Sequence, residues 1–340
     1  MSFISIIIPT RNRCELLATA VRSSLGLAEA DGNAEVIVVD NGSTDGTRVL
    51  CEGLQRESAV FRYVYDARPG LHVGRHVGMR TAKGDILLYA DDDIEPFSTW
   101  LPSIREAFAD ATVGLVGGKC LPKYEILPPS WERLLWHVIP GGRCNGNYSL
   151  IDFGESCREI KPWYVFGCNF AIRRQVLKET GGFHPDGMPR ELLRYRGDGE
   201  TAVSKAIDER GYKTVYHPGA SVYHWVSRDR LTFRYVYTRA FANGVSDSYV
   251  HIRKLGTATP ATDTPNRLFN QAKSYYRKWR KLLGLLRHGT IDEFRLQRVQ
   301  QLGYRAGWDF HQREVQQDRD LLEWVLLPDY WDAAPNTFNL

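Results

Sequence analysis

The chain has 340 residues, with 44 Lys and Arg against 40 Asp and Glu, a formal net charge of +4, and 43% hydrophobic and 25% charged residues. That is an ordinary soluble composition with enough apolar material for one large or two modest domains. The small positive excess argues against a dedicated nucleic-acid binder, and no apolar run approaches the length of about 20 residues needed to cross a bilayer. Phe3-Ile4-Ser5-Ile6-Ile7-Ile8 follows the start directly, without a basic, cleavable leader. Cys14, Cys51, Cys120, Cys144, Cys157 and Cys168 show no CxxC spacing, so reduced thiols in a cytoplasmic protein are expected rather than zinc or disulfides.

In chain order, Ser5 to Ile8 reads as a strand broken by Pro9-Thr10-Arg11-Asn12-Arg13, and Glu15 to Leu25 has helical spacing. Glu35 to Asp40 is a second, largely apolar strand ending in an acid. Asn41 to Thr47 is a turn with an N-cap, and a short helix runs to about Leu54. Phe61 to Tyr65 is a third strand, Gly70 to Arg80 leads into a helix, and Ile86 to Ala90 is a fourth strand. Strands alternating with helices imply βαβ units, a parallel sheet and ligands outside the carboxyl ends of the strands. Thr10, Asp40 and Asp91 all fall at that edge.

Trp100 to Ala109 reads as a helix and Val113 to Gly118 as a strand, whereas Lys119 to Pro162 is rich in Gly, Pro and aromatics with no clear period. Loops of that length are usually functional or disordered. Trp163 to Ile172 resumes strand character, Arg173 to Glu179 and Gly199 to Arg210 are helical, and Lys213 to Tyr216 and Ala220 to His224 are short strands. From about Leu231 the chain turns helical, aromatic and basic.

Asp91-Asp92-Asp93 follows the buried fourth strand. Along an extended backbone Asp91 and Asp93 point the same way and can reach one divalent cation, while Asp92 points away. A hard cation held by one or two carboxylates keeps positions open for phosphate oxygens. An acidic turn or N-cap before Pro96 accounts for the triplet equally well.

The ordered set Ser5 to Arg13, Val38 to Thr47, Arg75 to Gly78 before Ala82-Lys83-Gly84-Asp85, Asp91-Asp92-Asp93 with Pro96, Gly167 to Arg174, Gly181-Gly182-Phe183 and Asp198 to Thr201 resembles the family 2 glycosyltransferases of the GT-A fold. It covers about the first two thirds of the chain. The resemblance implies an α/β fold, a Rossmann-like mixed sheet flanked by helices with a helical C-terminal extension. It divides the chain into a catalytic domain over 1–230 (a nucleotide-sugar half to about 118, an acceptor half over 119–230) and a helical region over 231–340. It implies a nucleotide-sugar donor, with a UDP-sugar favoured, contacted by Pro9, Thr10, Arg11, Asp40, Arg75, Asp91 and Asp92. Asp40 would accept from the base, and the Asn that follows the family's arginine is His76 here. Mn²⁺ or Mg²⁺ would sit on Asp91 and Asp93, with His224 as a third ligand; a packed histidine explains His224 equally well. Arg228 and Arg230 would add charge against the diphosphate, with solvated side chains as the equal alternative. Asp198 takes the place of the general base of inverting members, although Gly197 replaces the family's preceding Glu, and capping of the next helix is a compatible role. Gly167-Cys168-Asn169 would lie near the donor sugar. Trp131, Trp136, Trp163 and Trp225 are candidates for stacking on a sugar, with core packing as the alternative for each.

Residues 266–289 are basic, free of acids, and apolar at helical spacing. Such a helix suits either an anionic membrane surface or a solvated face packed on the catalytic domain. The C-terminal third is expected to shape the acceptor site or an oligomer contact such as a homodimer, and the tail from Pro328 is expected to be irregular. Rival readings are a catalytically silent binding protein, a nucleotidyltransferase (disfavoured by the lack of a Gly-rich loop after the first strand) and a retaining transferase.

Overall fold

The strand runs near the N-terminus are apolar on both faces because both faces are covered. In the computed structural model, which describes residues 2–258 and 291–335, β1 (Ile4–Thr10) and β2 (Ala34–Asp40) are buried at every position. Ile4, Ile6 and Ile8 enter one core cluster and Ile7 the opposite one, as side chains alternate along a strand. Helices α1 (Cys14–Asp31), α2 (Thr47–Glu57) and α4 (Trp100–Ala107) supply the first cluster. Helices α3 (Leu71–Thr81), α5 (Arg174–Glu179) and α6 (Glu200–Glu209) supply the second.

β3 (Phe61–Tyr65), β2, β1 and β4 (Ile86–Ala90) are mutually parallel in that order. The sheet is mixed rather than parallel throughout. β12 (Asn169–Arg173) inserts antiparallel between β4 and β6 (Val113–Gly117), and β13 (Lys213–Tyr216) and β11 (Arg158–Glu159) complete it. This is the mixed α/β fold expected from the resemblance.

Residues 119–162 are not a structureless loop. They supply β7 (Cys120–Tyr124), β8 (His137–Ile139), β9 (Gly142–Asn145), β10 (Leu150–Asp152) and β11. The first four join β5 (Ile94–Pro96) and β14 (Val222–Val226) in a second sheet ordered β5-β14-β7-β10-β9-β8. These strands are two to five residues long, too short to display a period. The junction of β5 and β14 places His224 opposite Ile94, directly after the acidic triplet.

The C-terminal region is helical: α7 (Phe233–Leu255), α8 (Ile291–Gln317) and α9 (Arg319–Leu326). α7 and α8 cross closely, since a Cβ on Gly244 or Gly307 would strike the backbone of Tyr304 or Phe241. Tyr249, Ile252, Val315, Leu321, Trp324 and Val325 share one apolar cluster with Met188, Leu192 and Tyr195. Among the described residues after α9, 327–335, there is no regular structure, and Tyr330 is buried. No helix among the described residues is long and apolar enough to cross a membrane. The basic stretch 266–289 lies outside the described residues.

Candidate active site

Thr10 and Asp40 face each other in register at the ends of β1 and β2, and Asp91 follows the end of β4. The two loops beyond them are tied together. Asn12 adopts a left-handed φ of 55°, which Asn tolerates better than most residues. Its Oδ1 accepts from Thr44 N–H at 2.7 Å, and its own N–H donates to Ser43 Oγ at 2.9 Å. Pro9, Thr10, Arg11, Asp91 and Asp92 line a common cleft of about 230 Å³ together with Arg13, Asn41, Gly70, Leu71 and Gly187.

Asp40 and Arg75 do not line that cleft. Asp40 is fully buried; its Oδ1 accepts from Ser43 N–H at 2.7 Å and its Oδ2 from the Tyr63 hydroxyl at 2.9 Å. Burial and that contact push the Tyr63 hydroxyl up to about 12. Arg75 is buried, 3.2 Å from Glu200 Oε2 and stacked 4.8 Å over the Phe183 ring. Gly167 permits this, because a Cβ there would collide with the guanidinium. His76, which stands in place of the family's Asn, faces elsewhere. Its Nε2 accepts from Phe183 N–H at 2.9 Å, so the proton sits on Nδ1 and is donated to the Tyr330 carbonyl at 3.1 Å.

The acidic triplet divides by direction. Asp92 turns to Thr10 Oγ1 at 2.7 Å and Arg13 Nη1 at 2.5 Å. Burial nonetheless outweighs those contacts and raises its carboxyl to about 7. Asp93 is surrounded by cations: Arg13 Nη2 at 2.6 Å, Arg230 Nη2 at 3.0 Å and His224 Nε2 at 3.0 Å. Burial works against ionisation of Asp93, but His224, Arg13 and Arg230 hold its carboxyl far below the usual range. Asp91 accepts no hydrogen bond among the described residues, and burial and the Asp93 charge raise its carboxyl above the usual range. Arg228, by contrast, is exposed and faces Glu125.

Asp91, Asp93 and His224 bring ligand atoms within 4.8 Å of one another. Asp93 Oδ1 and His224 Nε2 are buried, lie 3.0 Å apart, and have no other partner among the described residues. His224 Nδ1 lies 2.8 Å from the Tyr148 carbonyl. In the neutral ring the proton therefore sits on Nδ1 and the Nε2 lone pair points at the acids, the arrangement of a metal-ligating imidazole. Burial would lower the His224 pKa, but the Cys168 sulfur and the Asp93 carboxylate reverse that and raise it to about 9. Two carboxylates and one imidazole suit a hard or borderline divalent cation.

Asp198 stands before α6. Its Oδ1 is 2.7 Å from His184 Nδ1 and its Oδ2 is 3.5 Å from Lys205 Nζ. It lines a second cleft, of about 650 Å³, between α6, α7 and α8. Glu200, two residues on, lines the same cleft, with Oε1 3.3 Å from Gly167 N–H. Asn169 is committed to the scaffold, bridging Trp100 Nε1 and the Ala220 carbonyl. Cys168 and Cys120 are buried neighbours, their sulfurs 3.7 Å apart. Trp131 packs on Phe233 in the core, Trp136 lies under Arg143, and Trp163 is half-exposed beside Lys161. Arg13, His184 and Glu200 were not singled out from the sequence. Arg13 and Glu200 lie within the quoted motifs, but nothing in the sequence orients them.

The sequence matches the profile of glycosyl transferase family 2 over residues 5–181. It is 29% identical over 218 residues to the Haloferax volcanii protein named glycosyltransferase AglE, covering 64% of each chain. It is 30% identical over 240 residues to an uncharacterized Sinorhizobium fredii protein, y4gI, covering 67% of this chain but only 25% of that one. The chain thus spans less than two thirds of the length of either relative. In structure it resembles a Pyrobaculum calidifontis mannosyltransferase, PcManGT, solved with GDP-Man and Mn²⁺: 97% of this chain and 88% of that one superimpose with a TM-score of 0.55 at 19% identity, a likeness of fold. A profile match over more than half of the chain, on the fold that the motifs imply, places this protein in glycosyl transferase family 2.

Proposed function

We propose that the chain is a metal-dependent, inverting glycosyltransferase of the cytoplasm, which moves a sugar from a nucleotide-sugar, a UDP-sugar by preference, to the hydroxyl of a saccharide, lipid-linked saccharide or small natural product. The observation that carries this reading is the convergence of Asp91, Asp93 and His224 beside the cleft at the carboxyl ends of β1 and β4. A Mn²⁺ or Mg²⁺ bound there supplies positive charge against the diphosphate leaving group; at 4 Å such a contact is worth about 4 kcal/mol at an effective dielectric near 20. Arg13 and Arg230 hold Asp93 ionised and keep it available as a ligand. Pro9, Thr10 and Arg11 line the nucleotide's place, and Asp40 and Arg75 support it from behind. Peripheral contact with an anionic membrane through residues 266–289, and a homodimer, belong to the same reading.

Inversion requires a carboxylate to take the acceptor proton as its hydroxyl attacks. Asp198 is the proposed base, supported by its place in the second cleft. A specific observation favours a second assignment. Glu200 reaches Arg75 and the Gly167 N–H, and its charge acts on Asp91, whereas both Asp198 oxygens face His184 and Lys205. Asp198→Asn is expected to lower transfer at least a hundredfold, the low end of acid–base catalysis, with nucleotide affinity kept. A loss confined to Glu200→Gln would move the role to Glu200.

The direct test of the reading is thermal stability against UDP, GDP, dTDP and CMP, each with and without Mn²⁺. Occupancy at a hundred times the dissociation constant adds about 2.7 kcal/mol, so a metal-dependent rise in Tm with UDP is expected. No shift with any nucleotide overturns the reading, and a shift with another nucleotide alone changes the donor.

A further inference from the structure

The second cleft has an electrostatic imbalance that the transfer step does not use. One face of α7 looks into it, with Arg239, Asn243, Ser246, Asp247, Val250 and Lys254 recurring at helical spacing. From α8, Tyr304 and Trp308 present ring surfaces suited to the C–H face of a sugar. Each carboxylate of the cleft is already engaged. Asp186 pairs with Arg196 at 2.7 Å, Asp198 with His184 at 2.7 Å and Glu200 with Arg75 at 3.2 Å, and Asp247 accepts from the Tyr304 hydroxyl at 2.8 Å.

The cations are not matched in the same way. Arg239 has no hydrogen bond and no close ion pair among the described residues, and its Nε is buried without a partner. It feels the Asp186 charge through space: Arg196 and the Gly187 N–H, each at 2.7 Å, both take Asp186 Oδ1, and Oδ2 makes no hydrogen bond or close ion pair with Arg239. Lys254 is likewise unpaired among the described residues, but it lies 15 residues further along the helix. At 1.5 Å per residue that is about 22 Å, too far to share one small anion with Arg239. A guanidinium cannot shed its charge, and an N–H left unpaired and desolvated is costly. Such a group is in place for a ligand that carries oxygen acceptors in a plane.

Resting on the transferase function proposed above, we infer that the α6–α7–α8 cleft holds the acceptor and that Arg239 recognises an oxyanion carried by it, a phosphate or a carboxylate on the acceptor saccharide. Neutral saccharides lack the group that Arg239 needs and bind more weakly.

The test is titration calorimetry on the full-length protein with the donor site saturated by nucleoside diphosphate and Mn²⁺. The probes are a hexose 6-phosphate, a hexuronic acid and the parent neutral hexose. At least one anionic probe is expected to bind tenfold or more tightly than the neutral one, to weaken with added salt, and to lose that advantage in Arg239→Gln. Whichever probe binds identifies the source of the anion. Equal binding of all three, no binding by any, or undiminished anion binding in Arg239→Gln overturns the inference. Arg239→Lys guards against a folding failure of the Gln variant: it keeps the charge without the planar fork, and anion binding is expected to fall severalfold, with unchanged affinity counting against the inference. If the nucleotide produces no metal-dependent shift in the wild type, the transferase reading fails instead, and the two failures are thereby separated.

Discussion

Asp91→Asn is expected to leave the metal-free protein as stable as the wild type or more so, while lowering transfer by about a hundredfold or more and removing the response to Mn²⁺. The two effects part because of how Asp91 is held. It has no hydrogen bond among the described residues, and burial together with the Asp93 charge makes its ionised form costly. A neutral isostere relieves that cost. Asp93→Asn should behave differently. Asp93 is 5% exposed and faces Arg13, His224 and Arg230. Removing one partner of a buried ion cluster typically costs about 3–5 kcal/mol, so this variant should lose both stability and metal response. Urea denaturation without metal, followed by Mn²⁺ titration with nucleotide present, reads both. Full Mn²⁺ response in Asp91→Asn would remove Asp91 from the metal site.

Acid is expected to destabilise the protein steeply below pH 6.5, through the contact between α3 and the C-terminal segment. His72 is fully buried; Nε2 lies 3.2 Å from the Ala333 carbonyl and Nδ1 has no partner. Burial, only partly offset by the bond to Ala333, lowers its pKa to about 4, and burial holds His76 well below its usual range. The unfolded chain takes up these protons near pH 6.5 and the folded chain does not, so stability is present above 6.5 and is lost as pH falls toward 4. Each unit costs about 1.4 kcal/mol per group, so His72 alone removes about 3 kcal/mol by pH 4. Urea midpoints of the wild type and His72→Gln at pH 7 and pH 5 measure this; equal pH dependence in the two proteins would sink the assignment. The contact also bears on the cleft at the ends of β1 and β4. Trp331 and His76 pack against Gly182, and Gly187, close by in the same loop, packs on Leu71 and lines the cleft.

The N-terminal half was legible because each of its elements carries its own signal. β1, β2 and β4 are apolar runs long enough to stand out, and the helices between them repeat at helical spacing within their own sequence. The expectation that Asp92 points away from Asp91 and Asp93 was drawn for an extended backbone, whereas Asp92 and Asp93 lie in a turn. Residues 119–162 were not legible, because strands of two to five residues take their stability from partners such as β14, about a hundred residues away. The attachment of the tail was not legible either: carbonyls of Tyr330 and Ala333 dock on histidines of α3, a pairing that no local pattern announces.

By itself, then, the sequence determined the alternating α/β order, the family and the acids at the sheet's edge, since periodicity and short motifs are properties of neighbouring residues. Only the tertiary structure decided that His224 and Arg230 close on Asp93, that Glu200 rather than Asp198 meets Arg75, that Asp40 is spent inside the protein, and that Arg239 Nε is buried in the second cleft without a partner among the described residues. Each of those depends on which charged groups share a buried space, and burial and pairing are set by chain crossings between residues far apart in sequence.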